Sequence, residues 1–258
     1  MLKARALTYT VGGRRLLNAV SVDFAPGTVS MVVGANGAGK TTLMRALCRS
    51  IAPQQGDVWY GARALADWRD GELARVRGVL SQNLELPFPL RVRDVVMMGR
   101  NPHYTGMPTS HDEAVCRQAM QHFEVLPWAD RDYLTLSGGE RQRVHFARVM
   151  AQIWESRPDA SRYLLLDEPL TYLDIRHQFD FLRQLRFFAS TGDLVVVAVV
   201  HDLNLAARHA DQVVLMAEGQ VLQAGPPREV LTPDHVEAGF GVRPIVYESN
   251  GGMHVLFE

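Results

Sequence analysis

Residues 34–41 of the chain read Gly34-Ala35-Asn36-Gly37-Ala38-Gly39-Lys40-Thr41, and this stretch decides the fold. It matches the pattern G-x-x-x-x-G-K-[ST], whose backbone cradles phosphate groups. The apolar run Val29–Val33 before it predicts a buried strand, and residues 41–48 after it have helical character. Strand, loop and helix are the context that the pattern needs, although a plain glycine-rich turn would also fit. We call residues 34–41 the phosphate loop.

The residue types of the phosphate loop suit the triphosphate of a nucleotide. Glycines let consecutive backbone N–H groups turn towards a phosphate, and the N-terminus of the following helix adds a favourable dipole. The Lys40 ammonium can reach the β- and γ-phosphate oxygens, and the Thr41 hydroxyl can bind Mg²⁺. The candidate nucleotide contacts are Gly34, Asn36, Gly37, Ala38, Gly39, Lys40, Thr41 and Thr42.

The composition of the chain excludes several classes of protein. With 258 residues, of which 47% are hydrophobic and 21% charged, the chain is neither a disordered tail nor a fibrous repeat. Its 27 Lys+Arg and 28 Asp+Glu leave a net charge of -1, so we expect no nucleic-acid partner. Two distant cysteines, Cys48 and Cys116, favour a reducing compartment over a disulfide or zinc framework.

The sequence contains no stretch that predicts a membrane span. The longest apolar run, residues 194–200, is far shorter than the ~20 residues of a spanning helix. Residues 1–5 lack the apolar stretch of a signal peptide. We therefore expect any contact with a membrane to be made through another protein.

Hydrophobic patterning predicts an α/β fold. Residues 163–166 and 194–200 are continuous apolar runs, which are typical of strands buried on both faces of a parallel sheet. Residues 3–33 alternate around glycine turns and predict short antiparallel strands, and a further turn is expected at residues 55–57. From about residue 92 to 154 the chain changes to charged, helix-forming segments, which predict a helical insert.

Two adjacent carboxylates, Asp167 and Glu168, end the first of these apolar runs. The carboxyl end of a parallel strand is where an α/β sheet presents its ligand site. Asp167 can hold Mg²⁺, and Glu168 can orient the water that attacks a γ-phosphate. The alternative is that both acids cap the next helix. His201 ends the second run in the same way, although a single histidine there would more often be structural.

A second candidate anion site lies in residues 136–142, which read Leu-Ser-Gly-Gly-Glu-Arg-Gln and which we call the signature segment. Ser137, Gly138 and Gly139 offer free N–H groups at the start of a predicted helix. Because one γ-phosphate does not need two such sites from one subunit, we expect this one to bind the nucleotide of a second copy in a two-fold dimer. The alternative is a plain Ser137 N-cap with Glu140 in the capping position.

The motifs taken together resemble those of ABC transporter ATPase subunits, and the resemblance covers essentially the whole chain. They follow in the family's order: the phosphate loop, Gln82, the signature segment, residues 166–168, residues 173–174 and His201. The resemblance implies that Gln82 contacts Mg²⁺ or the attacking water, that His201 contacts the γ-phosphate and that Asp174 crosses the dimer interface. ATP and Mg²⁺ are the implied cofactors.

The resemblance also implies one P-loop NTPase (RecA-like) domain over residues 1–258. Its parallel-sheet core, with an N-terminal antiparallel β subdomain, would comprise about 1–91 and 156–258. An inserted α-helical subdomain with the signature segment would comprise about 92–155. The implied partners are a second copy of the chain, membrane permease subunits and, indirectly, a periplasmic or extracellular substrate-binding protein. The implied location is peripheral, at the cytoplasmic face of the bacterial inner membrane.

The segment 88–103 is similar to the one that enters the helical domain of importers for haem, ferric siderophores and cobalamin. Residues 147–154 and 170–174 resemble the haem-importing branch most closely, which implies haem as cargo and a ferric siderophore or cobalamin as the alternatives. The nine histidines are expected to be solvated surface residues, so no direct haem binding is expected.

Two positions depart from the family pattern. The place of the aromatic residue on which adenine usually stacks holds Val11, and Tyr9 lies two residues back on the same expected strand face. Leu170 stands where the family usually has threonine. Other readings are a soluble ABC-type ATPase of DNA repair or translation and a P-loop kinase. The chain lacks the coiled-coil insertion or tandem halves of the former, and the signature segment argues against the latter.

Overall fold

The computed structural model describes residues 1–81, 86–156, 160–249 and 252–257. The strands are β1 Leu2–Val11, β2 Arg14–Phe24, β3 Val29–Val33, β4 Gln55–Tyr60, β5 Arg63–Ala64, β6 Arg77–Leu80, β7 Arg162–Asp167, β8 Leu194–Val199, β9 Gln212–Ala217, β10 Gln220–Gly225, β11 Ile245–Ser249 and β12 Gly252–Leu256. The α-helices are α1 Lys40–Leu47, α2 Asp70–Ala74, α3 Val92–Met97, α4 Ser110–His122, α5 Gly138–Gln152, α6 Ile175–Ala189, α7 Leu203–His209, α8 Pro227–Val230 and α9 Pro233–Phe240. Short 3-10 helices occupy Leu65–Asp67, Met98–Arg100, Leu126–Trp128 and Tyr133–Thr135.

A six-stranded sheet in the order β10-β9-β3-β8-β7-β6 forms the centre of the molecule. β3 runs parallel to both β8 and β9, and β7 runs parallel to β8 and β6. Every residue of β3, β7 and β8 is buried. Alternate residues of β8 belong to hydrophobic clusters on opposite faces of the sheet, with Val195 on one face and Val196 on the other. The predicted parallel sheet with two buried faces is confirmed.

The N-terminal strands build a second, antiparallel sheet in the order β2-β1-β4-β5. The predicted turn at Gly12 and Gly13 joins β1 to β2. The predicted turn at residues 55–57 is wrong, because these residues begin β4 and pair with β1. Gly56 adopts φ +84 where the β1–β4 register shifts, and a Cβ atom on it would lie 2.2 Å from the Arg5 carbonyl oxygen. The glycine therefore marks a β-bulge with close backbone approach, which a local pattern does not distinguish from a turn.

Helices α3, α4 and α5 lie in the stretch where the sequence predicts a helical insert, and they pack on one another. The 3-10 helix that follows α3 meets α5 closely at Gly99, where a Cβ atom would lie 2.1 Å from the Arg148 carbonyl oxygen. A buried ion pair joins Arg100 to Asp112 at 3.0 Å, and their side chains are 2% and 4% exposed. Within the described residues, no helix has both the length and the apolar character needed to cross a membrane.

Candidate nucleotide-hydrolysis site

The phosphate loop joins β3 to α1 at the carboxyl edge of the central sheet, and its shape depends on glycine. Gly34, Gly37 and Gly39 have φ values of +150, +81 and +100, which L side chains rarely adopt. A Cβ atom on Gly34 would lie 2.2 Å from the Met216 carbonyl oxygen, and one on Gly39 would lie 2.7 Å from the Leu16 carbonyl oxygen. The loop is therefore wedged between two strands, which holds it in one shape.

Lys40 begins α1 and turns its side chain back across the phosphate loop. Its Nζ atom donates to the carbonyl oxygens of Gly34 at 2.8 Å and Ala35 at 3.0 Å. Burial lowers the pKa of Lys40, and the carboxylates of Glu168 and Asp167 partly oppose that shift. Because the hydrogen bonds of the ammonium within the described part of the chain go to neutral backbone oxygens, it is available to bind anionic oxygen. Thr41 and Thr42 follow it in the first turn of α1.

Asp167 ends β7 beside the phosphate loop, and its carboxyl group lacks a full set of partners. The residue is 8% exposed, and its Oδ1 atom is buried without a hydrogen-bond partner among the residues that the structure describes. Burial raises the pKa of Asp167, and the neighbouring Glu168 carboxylate raises it further, against the attraction of Arg45, His201 and Lys40. A desolvated carboxylate oxygen with no partner is suited to bind a cation.

These residues fit Mg²⁺. The described residues contain no cluster of three or more His, Cys, Asp or Glu side chains that could hold a metal ion by themselves. Mg²⁺ does not require such a cluster, because it is usually bound by one or two protein oxygens together with waters and substrate phosphates. The orphaned Asp167 oxygen and the Thr41 hydroxyl, which follows Lys40 in α1, are such ligands.

Glu168 follows Asp167 and meets His201, which follows β8. The Nε2 atom of His201 lies 2.8 Å from Oε1 of Glu168. The Glu168 side chain is 16% exposed, whereas that of His201 is 49% exposed. Both residues line a cavity of about 200 Å³, with Thr171, Gln178 and Val199 among its other lining residues. The sequence predicts Glu168 and His201 at the ends of two apolar strands. In the structure these strands are adjacent, and the two side chains are in contact.

The signature segment begins α5 with a capping box. The Ser137 hydroxyl accepts from the Glu140 N–H at 3.3 Å, and the Ser137 N–H donates to the Glu140 carboxylate at 2.7 Å. Those hydrogen bonds lower the pKa of Glu140. The capping geometry that the sequence left as an alternative is therefore present. Ser137 and Gly138 are exposed, so the same N-terminus is also open to an external group.

Asp174 is exposed and caps α6, because its Oδ1 atom accepts from the His177 N–H at 2.9 Å. The same oxygen lies 2.8 Å from Nδ1 of His177. These contacts are within one chain and do not test the predicted role of Asp174 across an interface. Gln82 lies outside the described residues, and its role stays a prediction.

The tip of the β1–β2 hairpin differs from what strand alternation predicts. The register shifts between Tyr9 and Thr10, so the alternation that would put Tyr9 and Val11 on one face is interrupted. Tyr9 is half-buried against a hydrophobic cluster, whereas Val11 is 52% exposed. Arg14 pairs with Val11 and lines a cavity of about 530 Å³ beside Asn36 and Gly37.

Two polar contacts next to Glu168 were not predicted from the sequence. Gln142 of α5 donates from Nε2 to the Pro169 carbonyl oxygen at 3.0 Å. Gln178 of α6 donates to the carbonyl oxygens of Leu170 and Leu173 at 3.3 and 3.1 Å. The available signal was the position of Gln142 within the signature segment, but nothing in a single sequence pairs it with residue 169.

Comparison with known proteins places this site in a family. The ABC transporter family model matches residues 17–171. The chain is 50% identical to the hemin import ATP-binding protein HmuV of Gloeobacter violaceus, over 95% of this chain and 89% of that protein. It is 45% identical to the protein of the same name from Bordetella parapertussis, over 93% of this chain and 92% of that protein.

Solved structures agree with these relatives. A metal-chelate type ABC transporter in an inward-facing conformation has a chain that superposes with a TM-score of 0.82 and 26% identity, covering 100% of this chain and 96% of that one. A dimeric bacterial ABC transporter cassette superposes with a TM-score of 0.75 at 24% identity, covering 88% of this chain and 99% of that one. At this identity the likeness is evidence of a shared fold and of nothing further. The expected α/β fold, with its parallel core, antiparallel subdomain and helices, is confirmed. The chain belongs to the ABC transporter family.

Proposed function

We propose that the chain is the ATP-hydrolysing subunit of an importer that carries haem through a membrane permease. The observation that carries the cargo is its likeness, over nearly the whole length, to hemin import ATP-binding proteins. The observation that carries the chemistry is the convergence of Lys40, Asp167, Glu168 and His201 at one edge of the sheet. A ferric siderophore or cobalamin is the alternative cargo.

The residues divide the work of hydrolysis. The phosphate loop and the Lys40 ammonium bind the triphosphate, with Thr42 supporting the first turn of α1. Thr41, Asp167 and Gln82 would hold Mg²⁺, which would neutralise phosphate charge when bound. Glu168 accepts a hydrogen bond from the attacking water and orients it. His201, which lies 2.8 Å from Glu168, contacts the γ-phosphate and fixes the direction of that carboxylate.

Two copies of the chain share two nucleotides. The Ser137 hydroxyl and the Gly138 and Gly139 N–H groups of one copy donate to the γ-phosphate bound by the phosphate loop of the other, because the Ser137 N–H is already bonded to Glu140. Asp174 contacts the partner across the interface. The exposure of the α5 N-terminus supports this arrangement. The γ-phosphate then makes charge-assisted hydrogen bonds to both copies, so closure is favoured before hydrolysis and not after it.

The division of the chain follows the same proposal. Residues of about 1–91 and 156–258 form the nucleotide-binding core, and about 92–155 form the helical part that docks on the permease at the cytoplasmic face of the inner membrane. A substrate-binding protein on the other side of the membrane delivers the cargo. The chain itself does not bind haem.

Reconstitution in liposomes tests the proposal. The chain is assembled with its permease, and ATP hydrolysis is measured with haem, a ferric siderophore or cobalamin, each delivered by its binding protein inside the vesicles. Stimulation of ATP hydrolysis by haem, and by neither of the other two cargoes, supports the proposal. Stimulation by either other cargo reassigns the cargo, and ATPase activity that no cargo or permease changes favours a soluble ABC-type ATPase.

A further inference from the structure

The turn that follows Glu168 is tied to two helices by glutamine side chains. Gln142 reaches it from α5, through the 3.0 Å hydrogen bond to the Pro169 carbonyl oxygen. Gln178 reaches it from α6, through bonds to the carbonyl oxygens of residues 170 and 173. The backbone of residues 169–173 is therefore hydrogen-bonded to both α5 and α6.

The conformation of Glu168 makes it sensitive to that turn. Its φ of +52 lies in the left-handed region, which costs energy in a residue other than glycine and persists only when the surroundings enforce it. The Glu168 carbonyl oxygen accepts from the Thr171 hydroxyl at 3.1 Å, and Pro169 is buried. Because Pro169 directly follows Glu168 and its ring fixes its own φ angle, a displaced Pro169 carbonyl also displaces the Glu168 backbone and the water that its carboxylate orients.

Helix α5 connects this turn to the signature segment. Ser137 caps the helix, and Gln142 lies five residues further along, or about 7.5 Å at the rise of an α-helix. Gly139 packs closely on the same turn, since a Cβ atom on it would lie 3.1 Å from the Tyr172 carbonyl oxygen. The first turns of α5 and the turn after Glu168 are thus in direct contact.

We propose that Gln142 is a positioning residue, which holds Glu168 of its own chain in the hydrolytic geometry and transmits to it the engagement of α5 with the partner's nucleotide. The proposal rests on the shared dimer sites of the proposed function. The proposal implies that the two nucleotide sites of the dimer are coupled. Nucleotide bound by the first copy contacts Ser137 of the second copy, and Gln142 of the second copy then positions Glu168 of that same copy.

Purified homodimers give the first test. Gln142→Met keeps the length of the side chain but removes its N–H donor, and Gln142→Lys returns a donor of similar reach. We expect Gln142→Met to lower kcat about tenfold with little change in KM for ATP, and to reduce a Hill coefficient above one towards one. Gln142→Lys should recover most of the wild-type kcat and of the wild-type Hill coefficient. The matched control Gln178→Met removes an amide donor from the same turn but leaves α5 attached, so its Hill coefficient should stay above one.

Mixed dimers separate positioning from a general loss of stability. Mixing Lys40→Ala chains with Ser137→Arg chains leaves one intact site, whose Glu168 belongs to the Ser137→Arg chain. We expect Gln142→Met on that chain to lower the rate about tenfold, and on the Lys40→Ala chain less than twofold. Equal effects on the two chains, or a wild-type Hill coefficient of one, would overturn the proposal. An inactive parent mixture, despite demonstrated heterodimers, would instead count against the shared site or show that both sites must be intact together.

Discussion

Glu168 and His201 are held 2.8 Å apart at the ends of two adjacent parallel strands. The carboxylate is mostly buried while the histidine is half exposed, so the pair has one side against the sheet and one side open to a ligand. Such an arrangement gives the carboxylate a fixed direction before any substrate binds, which is the condition for orienting a water molecule.

The first prediction concerns Glu168→Gln. We expect this variant to keep ATP binding, because Lys40, Thr41 and Asp167 are unchanged, and to lose hydrolysis by about 10²-fold or more, because the water loses its orienting carboxylate. Gel filtration with Mg²⁺-ATP should show an accumulated dimer. Glu124→Gln, an exposed acid that also has positive φ, is the matched control and should hydrolyse ATP at the wild-type rate. Near-normal turnover in Glu168→Gln would remove Glu168 from this role.

The second prediction is that Asp167→Asn stabilises the nucleotide-free chain while ending its response to Mg²⁺-ATP. Burial and Glu168 raise the pKa of Asp167, so the folded chain holds this proton to a higher pH than the unfolded chain. The folding stability contributed by Asp167 therefore falls as pH rises above the ordinary value of 3.8. The variant should melt at higher temperature than wild type at pH 7, and the difference should shrink towards pH 4.

Asp211→Asn serves as the control for that experiment. Asp211 accepts from the Val29 N–H at 2.9 Å and pairs with Arg186, so its loss should lower the melting temperature. An Asp167→Asn chain that melts below wild type at pH 7, or that is still stabilised by Mg²⁺-ATP, contradicts the assignment of Asp167 as a desolvated metal ligand.

The third prediction concerns the buried pair of Arg100 and Asp112. Burial raises the pKa of Asp112, but the Thr109 hydroxyl and N–H and the Arg100 guanidinium together outweigh it and hold this pKa at about 2. The pair therefore contributes stability above pH 4 that is lost as pH falls from about 4 to 2. Arg100→Ala leaves a buried carboxylate without its partner and should cost about 3–5 kcal/mol in urea unfolding at pH 7.

An exposed ion pair provides the comparison. Arg183 pairs with Asp180 on the surface of α6, where solvent screens the charges, so Arg183→Ala should cost less than about 1 kcal/mol. If Arg100→Ala proves as mild as Arg183→Ala, the buried pair does not hold the helices together.

The fourth prediction is weak selectivity for the base. Val11 offers no aromatic face, so a stacking contribution of about 1–3 kcal/mol is absent unless Tyr9 supplies it, and Tyr9 is half-buried against a hydrophobic cluster. ATP and GTP should therefore bind within about tenfold of each other, and Val11→Tyr should tighten ATP binding. Titration with both nucleotides decides the matter. A much larger preference for ATP that disappears in Tyr9→Ala would identify Tyr9 as the stacking residue.

Sequence patterns predicted the parts of the molecule whose structure depends on residues close to one another in the chain. The phosphate loop, its flanking strand and helix, and the carboxylates after β7 all lie where the sequence placed them. Strand β9 was not predicted, and the prediction of a turn at residues 55–57 is wrong, because the strands that these residues pair with are distant in sequence. Strand β10 was also not predicted, although it pairs with the neighbouring β9. The contacts of Gln142 and Gln178 were missed for the same reason: a side-chain hydrogen bond to a distant carbonyl leaves no periodic trace.

The position of β3 in the central sheet has a consequence for how the chain assembles during synthesis. β3 pairs only with β8 and β9, which are made more than 150 residues later. A nascent chain that ends at residue 171 therefore carries a phosphate loop whose preceding strand has no neighbour on either side. We therefore expect the nucleotide site to form only after residue 217 has left the ribosome. A chain that stops earlier should expose an apolar strand and be prone to aggregate.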